Sequence, residues 1–234
     1  AHAKLPLEGR TEMALIVIAQ PHTDIGNGQV GIEKIMGGQF HAIVEEILKD
    51  GSSELMLEGL LQGALVGTYH HGKLMQGGHV LIAREQDVFG IMPTGAGKSV
   101  CYQIPALMLP GITLVVSPLI SLMKDQVSAL NQMGVHAAYL NSSLTSGQYM
   151  KALQLAKRGQ YKLIYVAPER LLTESFLDFA RYADISLLAV DEAHCVSQWG
   201  QDFRPSYLRI REFVEALSKR PLMAAYTATA TKAV

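Results

Sequence analysis

Two short runs hold the residue types that handle phosphate and activate water. The first is Met92-Pro-Thr-Gly-Ala-Gly-Lys-Ser99. Gly95 and Gly97 permit a tight turn in which successive backbone N–H groups point at phosphate oxygens. In such a loop Lys98 reaches the outer phosphates of a nucleotide and the Ser99 hydroxyl is a Mg²⁺ ligand. The strict pattern has glycine where this chain has Met92. The second run is Asp191-Glu-Ala-His194. Here Asp191 is the candidate Mg²⁺ holder, and Glu192 is the candidate to orient or deprotonate water.

A Gly-Lys-Ser tripeptide also arises by chance, and an Asp-Glu pair is often no more than a solvated turn, so the flanking elements decide. Asp87–Ile91 reads as a buried strand before the loop, and Ser99–Leu109 as a helix start after it. A helix N-terminus adds its dipole and free N–H groups to an anion site. Ile185–Val190 is the continuous apolar run of a parallel strand buried on both faces. Carboxylates at the end of such a strand stand at the crevice where open α/β sheets bind ligands.

Those elements belong to a longer pattern. Strands are expected at Asp87–Ile91, Thr113–Ser117, Ala137–Leu140, Lys162–Val166, Ser186–Val190 and Leu222–Tyr226. Helices are expected at Ile120–Asn131, Ser146–Lys157, Leu171–Ala180 and Pro205–Leu217. The alternation predicts an α/β fold, a mostly parallel sheet flanked by helices, over residues 87–234. Residues 1–86 form a less defined αβ segment. In it, Met13–Ala19 and Gly77–Ala83 are strand-like, while Gly38–Leu48 and Ser52–Val66 are helix-like. Tyr69-His-His71 and His79 do not have the spacing of a metal-ligand set and read as loop or surface histidines.

The 234 residues, 49% of them hydrophobic, suffice for one substantial core. A formal net charge of −1 provides no global basic field, which leaves a local groove as the route to nucleic acid. The two cysteines, Cys101 and Cys195, are too few for a disulfide scaffold or a cysteine zinc module and fit a reducing compartment. No apolar segment is long enough to cross a bilayer. Thr11–Ala19 is short, and Glu12 stands where a signal peptide would carry positive charge. A cytoplasmic or nuclear location, not a secreted one, is expected.

Ser197-Gln-Trp-Gly-Gln-Asp-Phe-Arg-Pro205 resembles the aromatic-rich loop of the RecQ DNA helicases of superfamily 2. Val115–Gln126 resembles that family's first DNA-contacting motif, Tyr165–Arg170 the next, and Thr227-Ala-Thr-Ala230 its motif III. The resemblance covers Asp87 to the end and implies the first RecA-like lobe of an ATP- and Mg²⁺-dependent, 3′-to-5′ DNA helicase. Pro93, Thr94, Gly95, Ala96, Gly97, Lys98 and Ser99 then bind nucleotide, and Ser117, Lys124, Trp199, Phe203 and Arg204 contact single-stranded DNA or a duplex junction. His194, Gln198, Thr227 and Thr229 couple the two.

Base faces stack on aromatic rings with little sequence preference, which suits Trp199 and Phe203 to a single strand. The alternative is that Trp199 plugs a domain interface. Thr227 and Thr229 also read as ordinary strand-end residues. Gln201 stands where the family usually has histidine. Gly38–Leu48 resembles the helix that opens with the adenine-reading glutamine, which makes Gln39 a candidate, although it lies too early and Met36 replaces the family's arginine. The second lobe, with its arginine finger, lies outside this sequence, so the chain alone is expected to bind nucleotide and hydrolyse it poorly. Two other readings stay open, a non-catalytic nucleotide-binding fragment and an RNA-directed superfamily 2 enzyme. The sequence leaves the oligomeric state open.

Overall fold

A computed structural model describes residues 14–17, 87–92, 97–196 and 204–228. Strand β1 (Ala14–Val17) lies within the strand-like run expected over Met13–Ala19. It is followed by β2 (Val88–Ile91), helix α1 (Lys98–Met108), β3 (Ile112–Val116) and α2 (Ile120–Gln132). Next come β4 (Ala137–Leu140), α3 (Ser146–Lys157), β5 (Leu163–Val166), α4 (Glu174–Ala180), β6 (Ile185–Val190), α5 (Pro205–Glu215) and β7 (Leu222–Thr227). Three-residue and four-residue 3₁₀ turns at Pro168–Arg170 and Ala193–Val196 follow β5 and β6.

The strands form one sheet in the order β1-β2-β7-β6-β3-β5-β4. Every pairing is parallel. A parallel sheet needs a crossover between consecutive strands, and the helices supply it. Strands β3 and β5 are wholly buried, as their Val/Ile/Leu-rich content requires for a sheet covered on both sides. One face packs Val115, Tyr165, Leu187, Ala189 and Tyr226 against α1 and α2. The other packs Leu114, Val116, Ile164, Leu188 and Val190 against α3, α4 and α5.

Parallel order places all the strand carboxyl ends on one edge. The register aligns Ile91 with Thr227, Val190 with Ala225, and Val116 with both Val190 and Val166. Asp191 continues this alignment, its N–H donating to the Val116 carbonyl at 2.9 Å. Met92 N–H likewise donates to the Thr227 carbonyl at 2.8 Å. The end of β2, the acids after β6 and the end of β7 therefore converge.

Two local details explain how the strands sit. Gly90 is required by the neighbouring strand, since a Cβ there would meet the Tyr226 ring at 2.6 Å. The buried Asp87 carboxylate accepts from Met223 N–H at 2.9 Å and pairs with Arg220, which clamps the start of β7 beside β2. The helix expected from Leu171 begins only at Glu174. Pro168–Arg170 forms a 3₁₀ turn first, and the Thr173 hydroxyl donates back to the Arg170 carbonyl.

Candidate nucleotide site

The phosphate-loop residues within the description are Gly97, Lys98 and Ser99; Pro93, Thr94, Gly95 and Ala96 lie outside it, as does Gln39. Gly97 caps α1 in the left-handed region (φ 79°, ψ 30°), a conformation open to glycine at little steric cost. Among the described residues no side chain caps this helix, and its first turn carries no acid. The N–H groups of Lys98 and Ser99 thus belong to the unsatisfied set at a helix start, and the dipole there favours an anion.

The acidic pair leaves β6 in a strained turn. Glu192 has φ 49°, which non-glycine residues rarely adopt and which is characteristic of functional sites. That turn aims the Glu192 carboxylate at two partners: Oε1 lies 3.6 Å from Lys98 Nζ, and Oε2 lies 3.2 Å from His194 Nδ1. His194 Nδ1 is also 2.9 Å from the hydroxyl of Thr227, which is fully buried. A carboxylate oxygen only accepts, so a proton on His194 Nδ1 serves Glu192 and is shared with Thr227. The structure therefore brings Lys98, Glu192, His194 and Thr227 into one line of contacts.

Asp191 is the most perturbed acid of the site. Burial and the neighbouring Glu192 carboxylate push its carboxyl up to about 6. Lys98, His194 and the Glu192 N–H, which donates to Asp191 Oδ1 at 3.0 Å, only partly offset this. A buried carboxylate beside a second one is a site that a divalent cation compensates, and the oxygen donors Asp191 and Ser99 suit Mg²⁺. Among the described residues no group of three or more His, Cys, Asp and Glu side chains is arranged to hold a metal.

Of the residues assigned to DNA, Ser117, Lys124 and Arg204 lie within the description. Ser117 is buried, and its N–H donates to Val166. At the same turn Leu119 is 41% exposed. Lys124 projects from the exposed side of α2, its ammonium 6.0 Å from the centre of the Tyr139 ring. The Arg204 guanidinium donates to the Pro118 carbonyl at 3.0 Å. Arg204 N–H donates to the Cys195 carbonyl, also at 3.0 Å. Gln198, Trp199, Phe203 and Thr229 lie outside the described residues.

Sequence reasoning passed over two contributors. Tyr207 reads as part of the apolar stripe of α5, yet its hydroxyl donates to the Asp191 carbonyl at 2.9 Å. Gln103 is an amide beyond the first turn of a mostly apolar helix, and that was the available signal, because a buried amide needs partners. Its Nε2 donates to Gln126 Oε1 at 2.7 Å and to the Tyr165 hydroxyl at 2.8 Å.

The model of the DEAD/DEAH box helicase family matches residues 78–234. The chain belongs to the DEAD/DEAH box helicase family. Within it, the chain is similar to the ATP-dependent DNA helicase RecQ of Bacillus subtilis, at 53% identity over 149 residues, which is 64% of this chain and 25% of that protein. The RecQ helicase of Haemophilus influenzae is 50% identical over 145 residues, 62% of this chain and 23% of that one. The chain thus spans about a quarter of the length of these helicases. Among solved structures, a hypothetical ATP-dependent RNA helicase from Sulfolobus tokodaii superposes with a TM-score of 0.57 at 18% identity. It covers 76% of this chain and 52% of its own, and it shows the shared RecA-like helicase fold.

Proposed function

We propose that the chain is the ATP-binding motor lobe of a RecQ-like DNA helicase, which couples ATP hydrolysis to 3′-to-5′ strand separation. The contact line Lys98–Glu192–His194–Thr227 carries this reading. It joins the phosphate-loop helix, the acidic pair and the end of β7, so a change at the phosphates has a physical path to the next motif.

In this reading the free N–H groups of the first turn of α1 and the Lys98 ammonium bind the outer phosphates. Ser99 and Asp191 hold Mg²⁺, which neutralises phosphate charge when bound. Glu192 positions a water and takes its proton, and His194 fixes the carboxylate by engaging its second oxygen. Trp199 and Phe203 stack on bases, while Lys124 and Arg204 meet the phosphate backbone. The 49–53% identity to RecQ DNA helicases supports DNA over RNA as the strand.

Lys98→Ala tests the assignment through equilibrium binding of a fluorescent ATP analogue with Mg²⁺. The expected result is a loss of affinity of tenfold or more, and unchanged affinity would refute the site. Single-turnover hydrolysis with and without single-stranded DNA separates a working motor lobe from a protein that binds nucleotide without turnover.

A further inference from the structure

Gln103 is only 3% exposed, on the side of α1 that packs into the sheet. A primary amide in that position is costly unless its N–H groups are used. Gln103 Nε2 donates one bond to Gln126 Oε1 at 2.7 Å and one to the Tyr165 hydroxyl at 2.8 Å. These three residues belong to three elements. Gln103 is on α1, which starts with Lys98 and Ser99; Gln126 is on α2, which carries Lys124; Tyr165 is on β5 and opens the run Tyr165–Arg170. Gln126 is half-buried and Lys124 exposed, so α2 turns one side to Gln103 and the other to solvent.

The link continues through aromatic contacts. Tyr165 meets Tyr102 edge-on at 6.5 Å, and Tyr102 packs on Tyr226 at 6.1 Å. Tyr226 precedes Thr227, the residue that His194 contacts. Gln103 itself is more than a helical turn beyond Lys98, about 7.5 Å along the axis, and so stands away from the phosphates.

We infer that Gln103 is a positioning residue that fixes the phosphate-site helix α1 to the strand-facing helix α2, so that its amide transmits nucleotide binding to strand binding. The inference rests on the nucleotide and DNA assignments proposed above. A purely structural role predicts something different, because replacing both members of a buried polar pair by apolar groups of similar shape is often nearly neutral. Gln103→Met/Gln126→Met would then behave as the wild type does.

The test is a linkage measurement on the whole chain. Affinity for a fluorescent ATP analogue with Mg²⁺ is measured with and without a saturating oligothymidylate. The oligothymidylate is also titrated alone. The wild type should show a change of about fivefold or more, within the usual range of coupling between sites. In Gln103→Met each separate affinity should stay within twofold while the ratio falls towards one. Gln126→Met, at the half-buried end of the link, should lower the ratio in the same way and carries the test if Gln103→Met folds poorly. The double variant should match the single ones.

A wild-type ratio in Gln103→Met or in the double variant would overturn the inference, as would a loss of nucleotide affinity alone. A wild-type chain that binds both ligands without coupling would overturn it too, while leaving the nucleotide site intact. A wild-type chain that binds no nucleotide would overturn both readings.

Discussion

His194 Nδ1 lies 2.9 Å from Thr227 Oγ1, which ties the turn after the acidic pair to the end of β7. Thr227 also accepts Met92 N–H on its carbonyl. One buried residue therefore touches both the acidic side and the phosphate-loop side of the site. Thr227→Val keeps the shape and deletes the hydroxyl. We expect a stability loss of about 1–2 kcal/mol in urea unfolding, with His194 left one partner short. ATP-analogue affinity should remain within twofold, since no phosphate contact is removed.

Glu192 sits between Lys98 and His194 with one oxygen on each. Glu192→Gln keeps the shape but removes the proposed base. Single-turnover hydrolysis should fall by about a hundredfold or more, the scale of a lost general base. Nucleotide binding should persist, because Lys98 loses a competing carboxylate. Quench-flow or long-incubation product analysis beside a binding titration checks both halves.

Asp191 predicts how stability responds to pH without metal. Burial and Glu192 raise its carboxyl to about 6 in the fold, above the ordinary value. The folded state thus holds a proton that the unfolded chain has already released. Stability contributed by this group is present below about pH 4 and lost as pH rises through about 6, an effect of about 3 kcal/mol. Asp191→Asn carries no such charge. Its metal-free melting temperature should exceed the wild type's, by more at about pH 8 than at about pH 4. Hydrolysis should be lost in the same variant. Equal melting temperatures at both pH values would refute the account.

Much of this arrangement is legible in the residues. The apolar run Ile185–Val190 and its two terminal acids locate β6 and the site edge together, because continuous apolar strands followed by charge have few other uses. Strand Ala137–Leu140 and helix Ser146–Lys157 have the bounds expected of them. Thr145 and Gln148 mark the start of that helix with a capping box. Partners distant in sequence are not legible. Nothing in Gly-Gln-Asp-Phe-Arg-Pro says that Arg204 meets the Pro118 carbonyl, and no local pattern pairs Asp87 with Arg220. Both depend on which strands become neighbours, and strand order is set by packing across the whole sheet.

Gly90 illustrates such a long-range constraint with a measurable consequence. Its neighbour Tyr226 is buried and its ring fills the space a Cβ would need, at 2.6 Å. Gly90→Ala must shift the ring or part β2 from β7. We expect destabilisation of about 1–3 kcal/mol in urea unfolding, the range for overpacked cores. Relief of the loss by Tyr226→Leu, which narrows the neighbour, would identify the ring as the cause.

The aromatic run offers the test of strand contact. Cys195 precedes it and Arg204 stands near its end, and the Arg204 N–H donates to the Cys195 carbonyl at 3.0 Å. Arg204 in turn holds the Pro118 carbonyl, beside the exposed Leu119. A strand lying there would meet Lys124 on α2. Trp199→Ala should then weaken single-strand binding by about 1–3 kcal/mol, the contribution of one stacked base. Added salt should weaken it further as Lys124 and Arg204 release phosphate counterions. Trp199 is the only tryptophan, so intrinsic fluorescence reports on it directly. A spectrum unchanged by saturating oligothymidylate, with binding established by anisotropy of a labelled strand, would remove Trp199 from the strand path and assign it to an interface instead.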